Sequence, residues 1–480
     1  MKFRKIIILL SLFISSLEFA QGFGSFGSVD AKNISMAGTN AVSSTGVYAI
    51  GVNPANLAAE QEHKIEISTV LPLPNLNFSA GNDFITISDY KYFFTGEENS
   101  SGQIVGKYLN EAEKNKFLDL FSNGSMINTN FGTTIFSATF YPSKKLGAFG
   151  ISVQDWVSAN VSLPKQIFEL VLFGNETEKV FDLSDMDLKT WYLRNYTLSY
   201  AKDLSNLFPD AFRSFTAGIT LKMVHGYFYA GFENMNTTLQ TQNNFGIQVN
   251  GNSRMLMAAS PNFGIKYDFD EDGIEKETQL GLFNKPAGTG FGMDLGFNAE
   301  LNKAWSFAVA LTDLGKINWN NESIEYASST TYLLEDITDE TLLDSLGKAI
   351  TGEGRYINEF STSLATAMKL GVAFKLDKFL NGNFPGKLLI EFNYQQGFNN
   401  MPANTTEPRF SLGSQYSPWN WFNLRSGISY GGIEDFNWAF GLGFSSGLLD
   451  FDFAASYVHS LFDGNNAKRL GFAMSSRWKF

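Results

Sequence analysis

The 480-residue chain contains no cysteine. That absence removes disulfides, a lipid-modified N-terminal cysteine and thiol nucleophiles together. Histidine is nearly as scarce: His63, His225 and His459 are the only three, and none belongs to an HExxH pattern. With no catalytic residue and no cofactor motif to name, the sequence reads as non-enzymatic, and the histidines read as structural or loop residues. Past the N-terminus no run of about eighteen consecutive apolar residues occurs, so no membrane-spanning helix is expected there. Cations are also in deficit, with 36 Lys and Arg against 48 Asp and Glu and a formal net charge of -12. An acidic chain of this kind is a poor partner for nucleic acid.

The N-terminus carries what the rest lacks. Lys2, Arg4 and Lys5 precede the apolar stretch that starts at Ile6, and small residues follow at Ala20 and Gly22. This is the pattern of a secretory signal peptide, expected over residues 1–20. The chain is therefore expected to leave the cytoplasm and to fold without disulfide staples.

Aromatics and glycine are abundant: 46 Phe, 18 Tyr, 8 Trp and 44 Gly. They fall into glycine-punctuated runs of strict alternation. From Phe291 to Leu301 the odd positions are Phe291, Met293, Leu295, Phe297, Ala299 and Leu301, while Asp294, Asn298 and Glu300 lie between them. Similar runs begin at Phe215, Phe263, Trp305, Leu370, Leu388, Phe422, Trp438 and Leu449. Strand side chains alternate with period two, so each run puts an apolar face opposite a polar one. Strands of about ten such residues cross a bilayer when tilted, one apolar side chain at a time. The mean hydropathy of -0.10 thus argues against a helical membrane protein without excluding a β-barrel.

The final ten residues end the series. Phe472, Met474, Trp478 and Phe480 fall on one face and Ala473, Ser475, Arg477 and Lys479 on the other. A closing strand of this kind, with a terminal Phe, resembles the insertion signal of bacterial outer-membrane barrels. The fold expected is all-β: a transmembrane antiparallel barrel of roughly 14–16 strands over residues 63–480, closed because lipid tolerates no unpaired edge. Lys222, Lys266, Asp294, Glu300, Glu391, Arg425, Asp450 and Asp452 sit on polar strand faces and are the candidates for the lumen. Such charges either pair with one another or line a watery passage.

Residues 21–62 differ in kind, being small, polar and turn-rich. They are expected to form a plug-like segment inside the barrel, with a motif Asn53-Pro54-Ala55-Asn56 in which Pro54 stops ladder extension. Two insertions read as loop helices, one capped by Asn110 with Glu111 and Glu113 in its first turn, the other opening at Thr338. Asp268, Asp270 and Asp272 have the DxDxDG spacing of a calcium loop. The twelfth position is Gln279 rather than Glu, so a solvated acidic turn is the stronger reading and a calcium site the weaker.

The stretch Asn53–Ala58 resembles one near the mature N-terminus of the long-chain fatty-acid transporter superfamily and of related barrels in type IX secretion. The block Thr312-Asp313-Leu314-Gly315 with Trp319 resembles an uncharacterised outer-membrane family, domain of unknown function 5723. So do Phe121-Ser122-Asn123-Gly124, Leu163-Pro164-Lys165 and Phe173-Gly174-Asn175. These likenesses imply a single barrel in the outer membrane of a Gram-negative cell, with membrane lipid as its surroundings, and supply no catalytic residues. Three readings of function stand open. One is a channel or transporter for small hydrophobic molecules. A second is an accessory barrel that docks a secreted or envelope protein, and a third is a structural or adhesive surface barrel.

Overall fold

The computed structural model describes residues 28–59, 63–123, 125–174, 178–242, 246–270, 277–281, 283–329, 331–334, 347 and 350–480. The expected signal segment, Asp272, and nearly all of the helix expected from Thr338 lie outside them.

Fourteen antiparallel staves close into a barrel. β1 is in two pieces, Ile65–Thr69 and Asn75–Asn82. It is followed by β2 (Met126–Ser143), β3 (Gly147–Ser162), β4 (Asp187–Asp203), β5 (Ser214–Met235), β6 (Gly288–Glu300) and β7 (Trp305–Trp319). The second half comprises β8 (Ala367–Lys375), β9 (Lys387–Gly397), β10 (Arg409–Trp419) and β11 (Phe422–Gly431). β12 (Phe436–Ser445), β13 (Leu449–Ser456) and β14 (Arg469–Lys479) complete it. Neighbours in sequence are neighbours in the wall, and β14 pairs with both pieces of β1 to close the ring. Terminal Phe480 takes part in that closure: its carbonyl accepts the backbone N–H groups of Lys64 and Ile65.

The alternation expected from the sequence sets the facing. Outward residues such as Phe149, Leu198, Phe291, Phe307, Leu412 and Phe472 are exposed, while their chain neighbours are buried. The outer wall therefore presents an apolar band to lipid, and stacked Trp419 and Trp421 mark its turn end with the aromatic girdle usual at an interface. Short turns and both ends of the strand ladder lie at that end. The long connections, 83–125, 163–186, 236–287 and 320–366, lie at the other.

The long connections carry their own structure. A helix over Glu111–Asp119 begins at Asn110, whose side chain accepts from Glu113 N–H while the Glu113 carboxylate accepts from Asn110 N–H. With the helices Ile87–Phe94 and Lys165–Phe173 it packs a satellite core of Phe84, Phe93, Phe117, Phe121 and Phe168. A small sheet over Ser253–Ala259, Ser323–Ser328 and Glu353–Tyr356 continues the tall end of β5.

One expected strand is not a strand. The alternation from Phe263 to Phe269 is carried by a 3₁₀ turn, Pro261–Phe263, and irregular chain. Its aromatics still bury a face, Tyr267 and Phe269 stacking at 5.6 Å beneath Tyr356, but in a loop. Period two alone does not distinguish an aromatic loop cluster from a stave.

Candidate functional site

The inside of the barrel is occupied. Residues 28–58 form a short helix, Ala31–Ser35, and two 3₁₀ turns, Gly46–Ala49 and Pro54–Ala58. Almost all of this inner segment is buried, and its own composition explains how. Its residues are small, and its buried peptide groups, which no ladder satisfies, find partners on the inward faces of the staves.

Asn53, Pro54, Ala55 and Asn56 are the centre of that attachment. Asn53 Oδ1 accepts the Ala55 N–H (3.1 Å) and so caps the turn. Its amide nitrogen donates to the Ala41 carbonyl (3.0 Å) and to the Phe297 carbonyl of β6 (3.2 Å). The Asn56 amide donates to Ala41 and Ser44, and its Oδ1 accepts from Asn298 of β6 at 2.6 Å. Pro54 lies against the wall where two staves carry glycine. A Cβ on Gly218 or Gly296 would fall inside the Pro54 backbone or the Asn53 side chain.

Several sequence candidates serve the same segment. Glu391 of β9 is fully buried, and its two carboxylate oxygens accept the N–H groups of Val42 (2.8 Å) and Ser43 (3.1 Å). Arg477 of β14 donates to Glu66 of β1, which itself accepts the Val47 N–H, and its guanidinium stacks over the Tyr48 ring at 4.8 Å. Asp450 of β13 holds Arg477 (2.8 Å) and Lys479 (2.7 Å).

Of the remaining lumen charges, Lys369 of β8 is buried without an ion pair among the described residues, and the sequence candidates pair with one another. Arg425 meets Asp452 at 2.5 Å. Lys222 of β5 meets Asp294 of β6 at 2.8 Å and Asp313 of β7 at 2.7 Å. Asp313 reaches inward because it sits at a bulge in β7 with φ of +57°. Glu300 is at the turn-end rim, paired with Arg213 and Lys375, rather than in the lumen. Lys266 is a correction of a different kind: it is exposed in the loop that follows Phe263 and faces no lumen, because the strand it was assigned to does not form. Of the calcium candidates, Asp268 accepts the Tyr326 hydroxyl and Asp270 accepts the Tyr356 hydroxyl. Those carboxylates are engaged in holding the loop, and among the described residues no three acidic or histidine side chains are grouped to hold a metal.

Above the inner segment, toward the loops, lies a layer that polar-face reasoning missed. Trp156, Trp191 and Trp319 point inward, each fully buried, and pack with Leu193, Val224 and Tyr229. Loop residues Leu364 and Met401 cover them, and Val29 of the inner segment touches them from below. The signal was partly present in the sequence: Trp156 and Trp191 fall on the nominally polar faces of their runs, whereas Trp319 shares the apolar face of Trp305, Phe307 and Val309 and is turned inward by the bulge in β7.

The strand ladder is interrupted at the seam of the ring. Between the pieces of β1, residues 70–74 leave the ladder and expose Val70 (50%) and Leu71 (70%) outward. Side chains stand in for the missing rungs. The Ser476 backbone N–H donates to Asn75 Oδ1 (2.6 Å), the Ser476 hydroxyl to the Leu73 carbonyl (2.7 Å), and the Ser68 hydroxyl to the Ser476 carbonyl (2.6 Å). Directly behind is a cavity of about 10 Å³, lined by Ser68, Asn75, Ser137 and residues of the inner segment.

Among solved structures, the Ralstonia pickettii toluene transporter TbuX is 11% identical with a TM-score of 0.45, covering 95% of this chain and 100% of that one. The Pseudomonas putida toluene transporter TodX is 10% identical with a TM-score of 0.46, covering 96% and 98%. A Pseudomonas aeruginosa FadL homologue is 11% identical with a TM-score of 0.45, covering 94% and 98%. No curated protein sequence matches. Residues 54–456 match one family model, and the chain belongs to that family, the family of unknown function DUF5723.

Proposed function

We propose that this is an outer-membrane channel for small hydrophobic molecules, held closed by residues 28–58 acting as a plug. The observation that carries the reading is the chemistry of the interior. Most of its charges are held in pairs or by plug amides, with buried Lys369 of β8 the exception, while the layer next to the loops is tryptophan, leucine, valine and methionine. A passage for ions or sugars needs free polar groups or water along its wall, whereas an aromatic layer suits an apolar solute entering from the loop side. The broken seam in β1 gives such a solute a sideways exit at the plug, since side-chain bonds rather than ladder rungs close it.

Purified protein in liposomes is expected to speed the entry of a fluorescent aromatic probe over protein-free vesicles, with ion conductance near background. Trp191→Ala, which opens a cavity in the aromatic layer, should alter that entry rate. Probe entry no faster than in empty vesicles would defeat the proposal.

A second reading is favoured by one feature of the loops. Tyr108 (89% exposed) and Phe462 (78%) project from the loop end, which suits contact with another envelope or secreted protein. Retention of full ligand entry after both are changed to Ser would separate the two readings.

A further inference from the structure

The outer wall over β3–β7 is not a uniform apolar band, and we infer that it holds one anionic membrane lipid of the loop-side leaflet. The strand register places side chains in three outward rows. The lowest is Ile151, Leu198, Leu221, Met293 and Leu314. The next is Val153, Tyr196, Met223, Phe291 and Lys316, and above it lie Asp155, Arg194, His225, Thr289 and Asn318. Trp156, Leu193 and Val224, the chain neighbours of the top row, are in the inner layer, so Asp155, Arg194 and His225 face out, although Asp155 and Arg194 are themselves buried beside Tyr192 and Tyr227.

The lower two rows are concave. All of their residues except Lys316, which stands beside the groove next to Phe291, line a groove of about 650 Å³ on the outer surface. Bulges bend the wall at both ends of it: the register of β2 shifts between Thr134 and Phe136, and that of β6 on β7 between Met293 and Leu295. Across five staves spaced about 4.8 Å apart, the groove runs for roughly 20 Å. A membrane barrel meets hydrocarbon at this height, so an acyl chain is the matter available to fill it.

The upper edge supplies a site for the headgroup. Arg194 and Asp155 satisfy each other in a fork at 2.6 and 2.7 Å, with the Tyr192 hydroxyl donating to Asp155. His225 packs edge-on against Tyr196 at 5.0 Å. Lys316 differs from these: it is exposed, faces Phe291 directly across the strands, and has no ion pair among the described residues. A cation at the rim of a greasy groove, within reach of the leaflet surface, is complementary to an anionic headgroup.

The test uses the full-length protein in detergent with dipalmitoyl phosphatidic acid or dipalmitoyl phosphatidylcholine, lipids of equal chains, followed by native mass spectrometry. One phosphatidic acid per barrel should be retained, about fivefold over phosphatidylcholine, as expected for one lysine near a headgroup. Lys316→Gln should abolish the headgroup preference, and Leu198→Trp, which fills the groove, should abolish retention of both lipids. Leu412→Trp, on the outward face of β10, should change neither. Heat-modifiable migration checks that each variant is folded, and where one variant fails that check the other decides. Equal retention of the two lipids by the parent, retention that neither variant lowers, or equal loss in Leu412→Trp would overturn the inference.

Discussion

Glu391→Ala should loosen the plug without disturbing the barrel. The backbone of Glu391 keeps its rungs to Ala373 and Gly413, so the ladder is intact. What is lost is the acceptor for two plug amides, Val42 and Ser43, in a site with no solvent exposure. A buried donor left unsatisfied costs about 1–3 kcal/mol, so the pair together costs roughly 2–6 kcal/mol. Because the parent has no cysteine, a reporter is easily placed: Ser35→Cys lies in the plug helix at 0% exposure and reacts with a maleimide only when the plug leaves its seat. At the lower limit of ~2 kcal/mol, labelling should accelerate about thirtyfold in the double variant relative to Ser35→Cys alone. Glu391→Gln, which keeps one acceptor, should fall between. A labelling rate within about twofold of the parent would mean that the Glu391 contacts do not hold the plug, against the energy assigned to them.

Two further outcomes follow from position and charge. Leu295→Arg, outward near mid-wall, should lower barrel stability by about 2–4 kcal/mol, whereas Trp419→Arg at the turn-end rim should cost about 0–1 kcal/mol in urea unfolding in lipid. Equal costs would show that the apolar band is placed wrongly. In the loop sheet, Arg254 first and then Arg355 hold the Glu325 carboxyl below its ordinary value. A depressed carboxyl stabilises the fold above its unfolded value, about 4.3. Its contribution is lost as pH falls below that value, so amide exchange over residues 253–259 and 323–328 should quicken there, and Glu325→Gln should remove the dependence.

The barrel was legible because its physics is repetitive. Each stave repeats one rule, apolar out and small or polar in, and runs such as Phe291–Leu301 state it without help from distant residues. The loop helix at Asn110 was equally local, since its cap and first-turn acids lie within four residues. The stretch from Phe263 to Phe269 shows the limit: the same alternation served a loop cluster, and Lys266 went with it. The Trp layer was hidden for a related reason. Trp156 and Trp191 interrupt polar faces one at a time, Trp319 is turned inward by the bulge in β7, and only the closed ring brings the three into a single core. Asp313 could not be placed because its inward turn depends on a bulge, a mismatch between two strands that neither strand records alone. The seam at residues 70–74 was likewise invisible until β14 met β1.

The most direct measurement compares the intact protein with a barrel lacking residues 28–57 in the same liposomes. The deleted barrel should still insert and migrate as a heat-modifiable band, because every stave and Phe480 remain. Removing residues 28–57 frees Glu391 and Asn298 from these partners, takes the Val47 N–H from Glu66 while leaving it Arg477, and is expected to admit water to the lower lumen. Entry of the aromatic probe should then rise several-fold above that of the intact protein. Unchanged entry through a correctly inserted deletion variant would contradict the claim that residues 28–58 close the passage.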